Sequence, residues 1–168
     1  NRYKPGFLLK DWYNGFLLKG DIVIFNSNFV KNSYINKYSD KNNLFVIPRG
    51  IDTDYFQSSS SNKKDKIKKI LLPSRISSWK GHDILLKFYI KKEFNLKDEF
   101  KLVFISSHQS KYEKRIDILI KNLNLTQFVL FEKPTLDIKK LYDDSFIVIN
   151  CSTRPEGFGR TISESLSM

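Results

Sequence analysis

The chain has 168 residues, 40% of them hydrophobic and 14% aromatic, and carries a formal net charge of +11. This is the composition of a globular chain, enough for one domain or one domain and part of another, and it excludes a disordered one. No run of 18 apolar residues exists to span a membrane, a single cysteine excludes an internal disulfide, and two histidines leave no metal-site spacing.

The start, Asn1-Arg2-Tyr3-Lys4-Pro5, has no initiator Met and no signal-peptide apolar core, as expected where a chain begins inside a longer protein or has been trimmed. Six short apolar runs then read as strands: Ile22–Phe25, Phe45–Ile47, Ile70–Leu72, Leu102–Ile105, Phe128–Phe131 and Phe146–Ile149. They are too short for helices and are mostly β-branched or aromatic. Their unbroken apolar character predicts strands covered on both faces, as in parallel sheets. Helices are expected over Phe29–Tyr38, His82–Lys92, Lys111–Leu123, Leu136–Asp143 and from Arg160 onward. In the third, Tyr112, Ile116, Leu119, Ile120 and Leu123 keep a helical period. Alternating strands and helices predict an α/β fold, a Rossmann-like doubly wound parallel sheet with ligands at the carboxyl ends of its strands. Cys151, ending the last strand, reads as a small buried hydrophobe.

The polar stretch Gln57–Lys64 is the one low-complexity segment and reads as a linker or hinge. The division that follows is residues 1–57, a linker over 58–66, and a nucleotide-binding domain over 67–168. The net charge invites a nucleic-acid partner, but 23 of the 29 basic residues are lysines, and they are scattered. Nucleic-acid readers favour arginine for bidentate contacts, so no nucleic acid is expected; a non-catalytic basic nucleotide- or nucleic-acid-binding module is the alternative reading. The basic run Lys63–Lys69 reads as a solvated linker, with attraction to an anionic membrane surface as its functional alternative.

The end of the chain carries the chemistry. After the strand at Phe146–Ile149 come Ser152-Thr153-Arg154-Pro155-Glu156-Gly157-Phe158-Gly159-Arg160-Thr161-Ile162-Ser163-Glu164. Strand, glycine-bearing turn and helix is an arrangement that aims backbone N–H groups, here Gly157 to Thr161, at a phosphate. Glu156 lies in the loop and Glu164 one turn into the helix, so the two carboxylates reach different parts of one ligand. Glu164 has a plainer reading, an i, i+4 pair with Arg160; Ile162 and Leu166 fall on the opposite face and are expected in the core. Upstream, Arg75 and Lys80 sit in Pro73-Ser74-Arg75-Ile76-Ser77-Ser78-Trp79-Lys80-Gly81-His82, at the carboxyl end of a predicted strand. Asp52-Thr53-Asp54 has the letters of a metal-binding pair, but Asp52 reads better as the cap of a short turn.

These three stretches, the third being Ile47-Pro48-Arg49-Gly50-Ile51-Asp52-Thr53-Asp54-Tyr55-Phe56, resemble the retaining GT-B glycosyltransferases of the E-x7-E type (glycosyltransferase family 4, group 1), in order and with sensible spacing. The resemblance implies a retaining transferase, and the lack of a credible carboxylate metal site beside the Arg75–Lys80 pair makes a metal-independent one with no cofactor the expectation. Its partners would be a nucleotide-sugar donor and a glycan or lipid-linked acceptor. Its place would be the cytoplasm, with the inner face of the cell membrane as an alternative. It implies catalytic roles for Arg75, Lys80 and Glu156, and donor binding by Gly157, Phe158, Gly159, Arg160, Thr161 and Glu164, the last on the ribose. Residues 1–57 would be the tail of the acceptor domain, so this stretch alone is expected to bind donor without efficient turnover. The family usually has Gly where Ser74 stands, and a glycine-rich turn where Ser106-Ser107-His108-Gln109 stands.

Overall fold

The computed structural model describes residues 12, 15–16, 19–38, 43–58, 67–91 and 96–168. The chain forms two compact units, Asn1–Gly50 with Glu156–Gly159, and Ile51–Pro155 with Arg160–Met168. In the first unit, β1 (Val23–Phe25) and β2 (Leu44–Val46) pair in parallel around α1 (Asn28–Tyr38). The Ser27 hydroxyl accepts the Val30 N–H at 3.2 Å, the type of cap that starts a helix. Phe25, Tyr34 and Leu44 form the core. The expectation that every strand is covered on both faces fails here. Ile24 and Phe45 stand opposite each other and are 58% and 51% exposed, because α1 packs on the Phe25–Leu44 face.

The second unit is a four-stranded parallel sheet in the order β5-β4-β3-β6. Its strands are β3 (Lys68–Arg75), β4 (Phe100–Ile105), β5 (Val129–Glu132) and β6 (Ile147–Val148). Its helices are α2 (His82–Tyr89), α3 (Leu96–Glu99), α4 (Lys111–Asn122), α5 (Ile138–Asp143) and α6 (Arg160–Leu166). Alternate side chains of β3 and β4 face opposite ways, as strand geometry requires. Ile70, Leu72, Leu102 and Phe104 pack with Leu85, Leu86, Tyr89, Ile116 and Ile120 of α2 and α4. Leu71 and Val103 pack on the other side with Phe56, Tyr142 and the half-buried Ile138 and Leu141. With helices on both faces, this is the doubly wound α/β architecture that the strand pattern predicts. Leu71, Leu86, Leu102 and Phe104 are fully buried, each stabilising by about 1.5–3 kcal/mol.

Pro73 stands in β3, between two neighbours, where a missing N–H should break a ladder. The register absorbs it: Leu72 pairs with Phe104 and Arg75 with Ile105, so Pro73 and Ser74 are looped out of the β4 pairing as a bulge. The predicted linker 58–66 lies, Ser58 apart, outside the described residues, as does Lys63–Lys66 of the basic run. The end of that run is not linker. Lys68 and Lys69 open β3, and Lys68 Nζ sits 2.9 Å from Glu99 and 5.2 and 5.0 Å from the rings of Phe100 and Phe146. Asp52 caps its turn, its Oδ1 accepting the N–H groups of Asp54 and Tyr55 at 3.1 and 2.9 Å. Among the described residues no helix is long and apolar enough to cross a membrane.

Candidate functional site

The strand order locates the candidate site. From β3 the chain steps outward to β4 and β5, then β6 returns to the other side of β3. At such a switch point the loops after the two neighbouring strands diverge and leave a crevice at their carboxyl ends. Here those loops begin at Ile76 and Ile149, and they carry the two motifs singled out in the sequence. They meet at two points. The Thr153 N–H and hydroxyl donate to the Trp79 carbonyl at 2.8 and 3.2 Å. Gly81, at φ 74° and ψ 21°, packs so closely on Cys151 that a Cβ would fall 2.1 Å from the Cys151 carbonyl oxygen. Cys151 itself is half-buried and lies past the end of β6, and burial pushes its thiol pKa up.

Arg75 is the exposed last residue of β3. Lys80 closes the turn that follows, its N–H donating to the Ser77 carbonyl at 3.1 Å and its Nζ lying 4.3 Å from the centre of the Trp79 ring. Beneath them is polar material the sequence did not reveal. The Ser74 and Ser77 hydroxyls and both ring nitrogens of His82 are buried without hydrogen-bond partners among the described residues. His82 is fully buried, edge-on to Phe104 at 4.9 Å. Burial pushes its pKa down to about 4; the Ser74 main chain lies close enough to oppose the shift without reaching hydrogen-bond geometry. The imidazole is therefore neutral at physiological pH.

Glu164 is 3% exposed on α6. Its Oε1 accepts from Arg160 Nε at 2.5 Å, the pairing expected of residues four apart, and its Oε2 accepts from the Tyr142 hydroxyl at 3.0 Å. Tyr142 is a site residue that sequence reasoning missed. Burial, then the bond to Glu164, push its phenol pKa up, so it stays a donor. Thr161 is half-buried at the start of the same helix. Ile162 and Leu166 are not core residues: they are 43% and 81% exposed. They do lie opposite Glu164, as the helical period requires, but the Glu164 face is the one turned inward.

Glu156, Gly157, Phe158 and Gly159 group with the first unit. All four are half-buried, and a Cβ at Gly157 would lie 3.4 Å from Val30 Cγ2 and 3.5 Å from Asn26 Nδ2. Gly159 takes φ 78°, the left-handed turn before α6 that a side chain would strain. The structure thus joins Arg160 to Glu164, sets Arg75 and Lys80 at either end of one loop, and seats the Glu156–Gly159 loop on Asn26 and Val30.

The loop after β4 is closed by its own helix. Glu113 of α4 is 5% exposed; it accepts from the Ser106 hydroxyl and the Ser107 N–H through Oε1, and from the Gln109 and Ser110 N–H groups through Oε2, at 2.6–3.0 Å. The Ser110 hydroxyl in turn accepts the Glu113 N–H at 3.1 Å, completing a capping box. N–H groups that a ligand phosphate would need are already taken. Among the described residues, no three of His, Cys, Asp and Glu gather as metal ligands.

Residues 54–168 match the family described as Glycosyl transferases group 1. The chain belongs to that family. A glycosyltransferase of Rickettsia africae superposes with this group 1 chain at a TM-score of 0.76 and 32% identity, over 99% of this chain and 47% of that one. Anabaena HepE, solved in complex with UDP and glucose, superposes at 0.75 and 24% identity, over 88% of this chain and 42% of its own, a likeness of fold. An uncharacterized glycosyltransferase of Methanocaldococcus jannaschii is 27% identical over 92 residues, 52% of this chain and 24% of the relative. The group 1 chain therefore spans about half or less of the length of these relatives.

Proposed function

We propose that the second unit binds the donor of a retaining, metal-independent glycosyltransferase of the E-x7-E type. The donor would be a nucleotide-activated hexose and the acceptor a glycan or lipid-linked sugar. The observation that carries this reading is the position of Arg75 and Lys80, at the sheet's switch point, in a chain matching the group 1 family over residues 54–168. As the glycosidic bond breaks, negative charge gathers on the departing diphosphate. Arg75 offers a planar fork to phosphate oxygens and Lys80 a point charge, and electrostatics accelerate most where cations are in place as negative charge develops. HepE supports the choice of ligand, having been solved with a nucleoside diphosphate on the same fold. Glu164, in the same unit as Arg75 and Lys80, is assigned the ribose. Residues 1–50 are assigned to the end of an acceptor domain and 67–168 to the donor domain, with Ile51–Gln57 on the donor side because Phe56 packs with Leu71 and Val103.

Calorimetric titration with UDP, GDP, ADP and CMP, with and without EDTA, tests the reading. Binding of one of them, unchanged by EDTA, is expected; a strict requirement for magnesium or manganese would overturn the metal-free assignment. Arg75→Ala and Lys80→Ala should each weaken diphosphate binding about tenfold to a hundredfold, the worth of a charge-assisted contact, and leave nucleoside binding nearly unchanged. Glu164→Gln keeps the shape of the side chain but leaves one acceptor oxygen where there were two. It should cost a ribonucleotide about 1–3 kcal/mol and a 2′-deoxy analogue less. Equal losses for the two ligands would leave Glu164 as a structural partner of Arg160 and Tyr142 only.

A further inference from the structure

We propose that Arg160 is a displaceable cap on Glu164, and that Tyr142 is the positioning residue that keeps the carboxylate in place when the cap swings away. The inference rests on the donor-site reading above. A buried carboxylate is tolerated only when paired and hydrogen-bonded. Among the described residues the Glu164 carboxylate has two partners of opposite character. Tyr142 is 4% exposed and packed among Phe56, Leu71 and Val103. It is an anchor, bonded to Oε2. The Arg160 side chain is 57% exposed and holds Oε1 through Nε. Of the two, Arg160 alone has room to leave.

Glu164 is only 3% exposed, so ligand hydroxyls must arrive where Arg160 now sits. Binding is then an exchange. The carboxylate gives up the guanidinium and accepts neutral hydroxyls, while Tyr142 holds its other oxygen. The freed guanidinium, on the first residue of α6, turns its planar fork to the donor's phosphates. A nucleoside without phosphates has to break the ion pair and offers the cation nothing in return. A nucleoside diphosphate offers it a new partner. The cap thereby favours the activated form of the ligand over the bare nucleoside.

The two variants of the cap should move the two ligands in opposite directions. In the full-length protein, Arg160→Ala should bind the nucleoside about twofold to fivefold more tightly, because the ligand hydroxyls no longer have to displace the guanidinium. The same variant should bind the matching nucleoside diphosphate about tenfold more weakly. Arg160→Lys, which keeps the charge and loses the fork, should lie between the parent and Arg160→Ala for the diphosphate. Tyr142→Phe keeps the ring in the core. It should weaken the ribonucleotide severalfold and the 2′-deoxy analogue less, a split that general loosening of the core would not produce. Titration calorimetry reads all of these, and thermal melts report that each variant is folded. Weaker binding of both nucleoside and diphosphate by Arg160→Ala would overturn the cap. Equal losses for ribo and deoxy ligands in Tyr142→Phe would overturn the positioning role. A parent protein that binds no nucleoside diphosphate would overturn the donor-site reading and the cap together, an outcome distinct from the other two.

Discussion

Gly81→Ala should come close to unfolding the second unit. The new Cβ would lie 2.1 Å from the Cys151 oxygen, 2.6 Å from its Cβ and 2.9 Å from its carbonyl carbon. Two of those atoms are backbone, so no rotamer change relieves the overlap. The φ of 74° adds the left-handed penalty of about 1–2 kcal/mol for any L side chain. Moving the loop of Arg75 and Lys80 off the chain that follows β6 should bring the total to about 3 kcal/mol or more. A thermal melt should show Tm lowered by about 10 °C or more. Gly50→Ala is the control, because a Cβ there meets nothing within 4 Å among the described residues, and its melt should match the parent. Adding Cys151→Gly to Gly81→Ala should not restore stability, since the nearest clashing atom is the main-chain oxygen. Restoration by that second change would show the strain lies with the thiol side chain.

Acid should weaken the fold in two steps, each traceable to one side chain. His82 is pushed by burial from 6.5 down to about 4. Its neutral form is the one folded, so the unfolded chain binds the extra proton first, and stability is lost as pH falls from 6.5 to about 4. Glu113 follows. Burial alone would raise its pKa, but the bonds from Ser110, Ser106 and Ser107 outweigh burial and bring it from 4.5 to about 2. The folded state therefore prefers the carboxylate, and this contribution is full above pH 4.5 and lost toward pH 2. Each step is worth about 3 kcal/mol at most by the size of its shift. Denaturant melts from pH 7 to pH 2 should show both losses. His82→Phe should flatten the upper step and Glu113→Gln the lower one. Glu113→Ala should also cost about 2–4 kcal/mol at pH 7, since it releases several main-chain and hydroxyl donors at once. An unchanged slope between pH 6.5 and 4 in His82→Phe would show that another group titrates there.

Much of this arrangement is legible in the residues themselves. The strands of the second unit announce themselves as β-branched and aromatic runs, and the polar stretches between them leave no doubt about alternation. Asp52 reads as a cap because a carboxylate two or three residues ahead of free N–H groups has an obvious use for them, and it does cap its turn. Glu113 had a visible signal, Ser-x-x-Glu at the start of a helix, which is the capping-box signature. Tyr142 had none. Its partner is 22 residues away, across a strand and a loop, and no local pattern reports a contact of that range. The helical period of α6 correctly sets Ile162 and Leu166 opposite Glu164, yet period gives two faces and not which of them turns inward. The four residues of α3 are too few to show a period at all. Ile24 and Phe45 mislead for a related reason, because an apolar run shows what a strand could bury and not what is there to cover it.

The shortest strand carries the longest motif. β6 is paired to β3 only at Ile147 and Val148, flanked by one main-chain bond at each end, from Phe146 to Lys69 and from Ile149 to Leu71. β4, on the other side, is paired to β3 at six positions. Such an imbalance sets a gradient of local opening, in which protection from hydrogen exchange falls from β4 toward β6 well before the sheet as a whole unfolds. The segment leading to Arg160 and Glu164 thus hangs from the least protected strand of the unit, while Arg75 ends β3, which is paired to β4 at six positions. A ligand gripping both would tie the loose edge to the rigid centre, and slower exchange at Ile147 and Ile149 would be the trace it leaves.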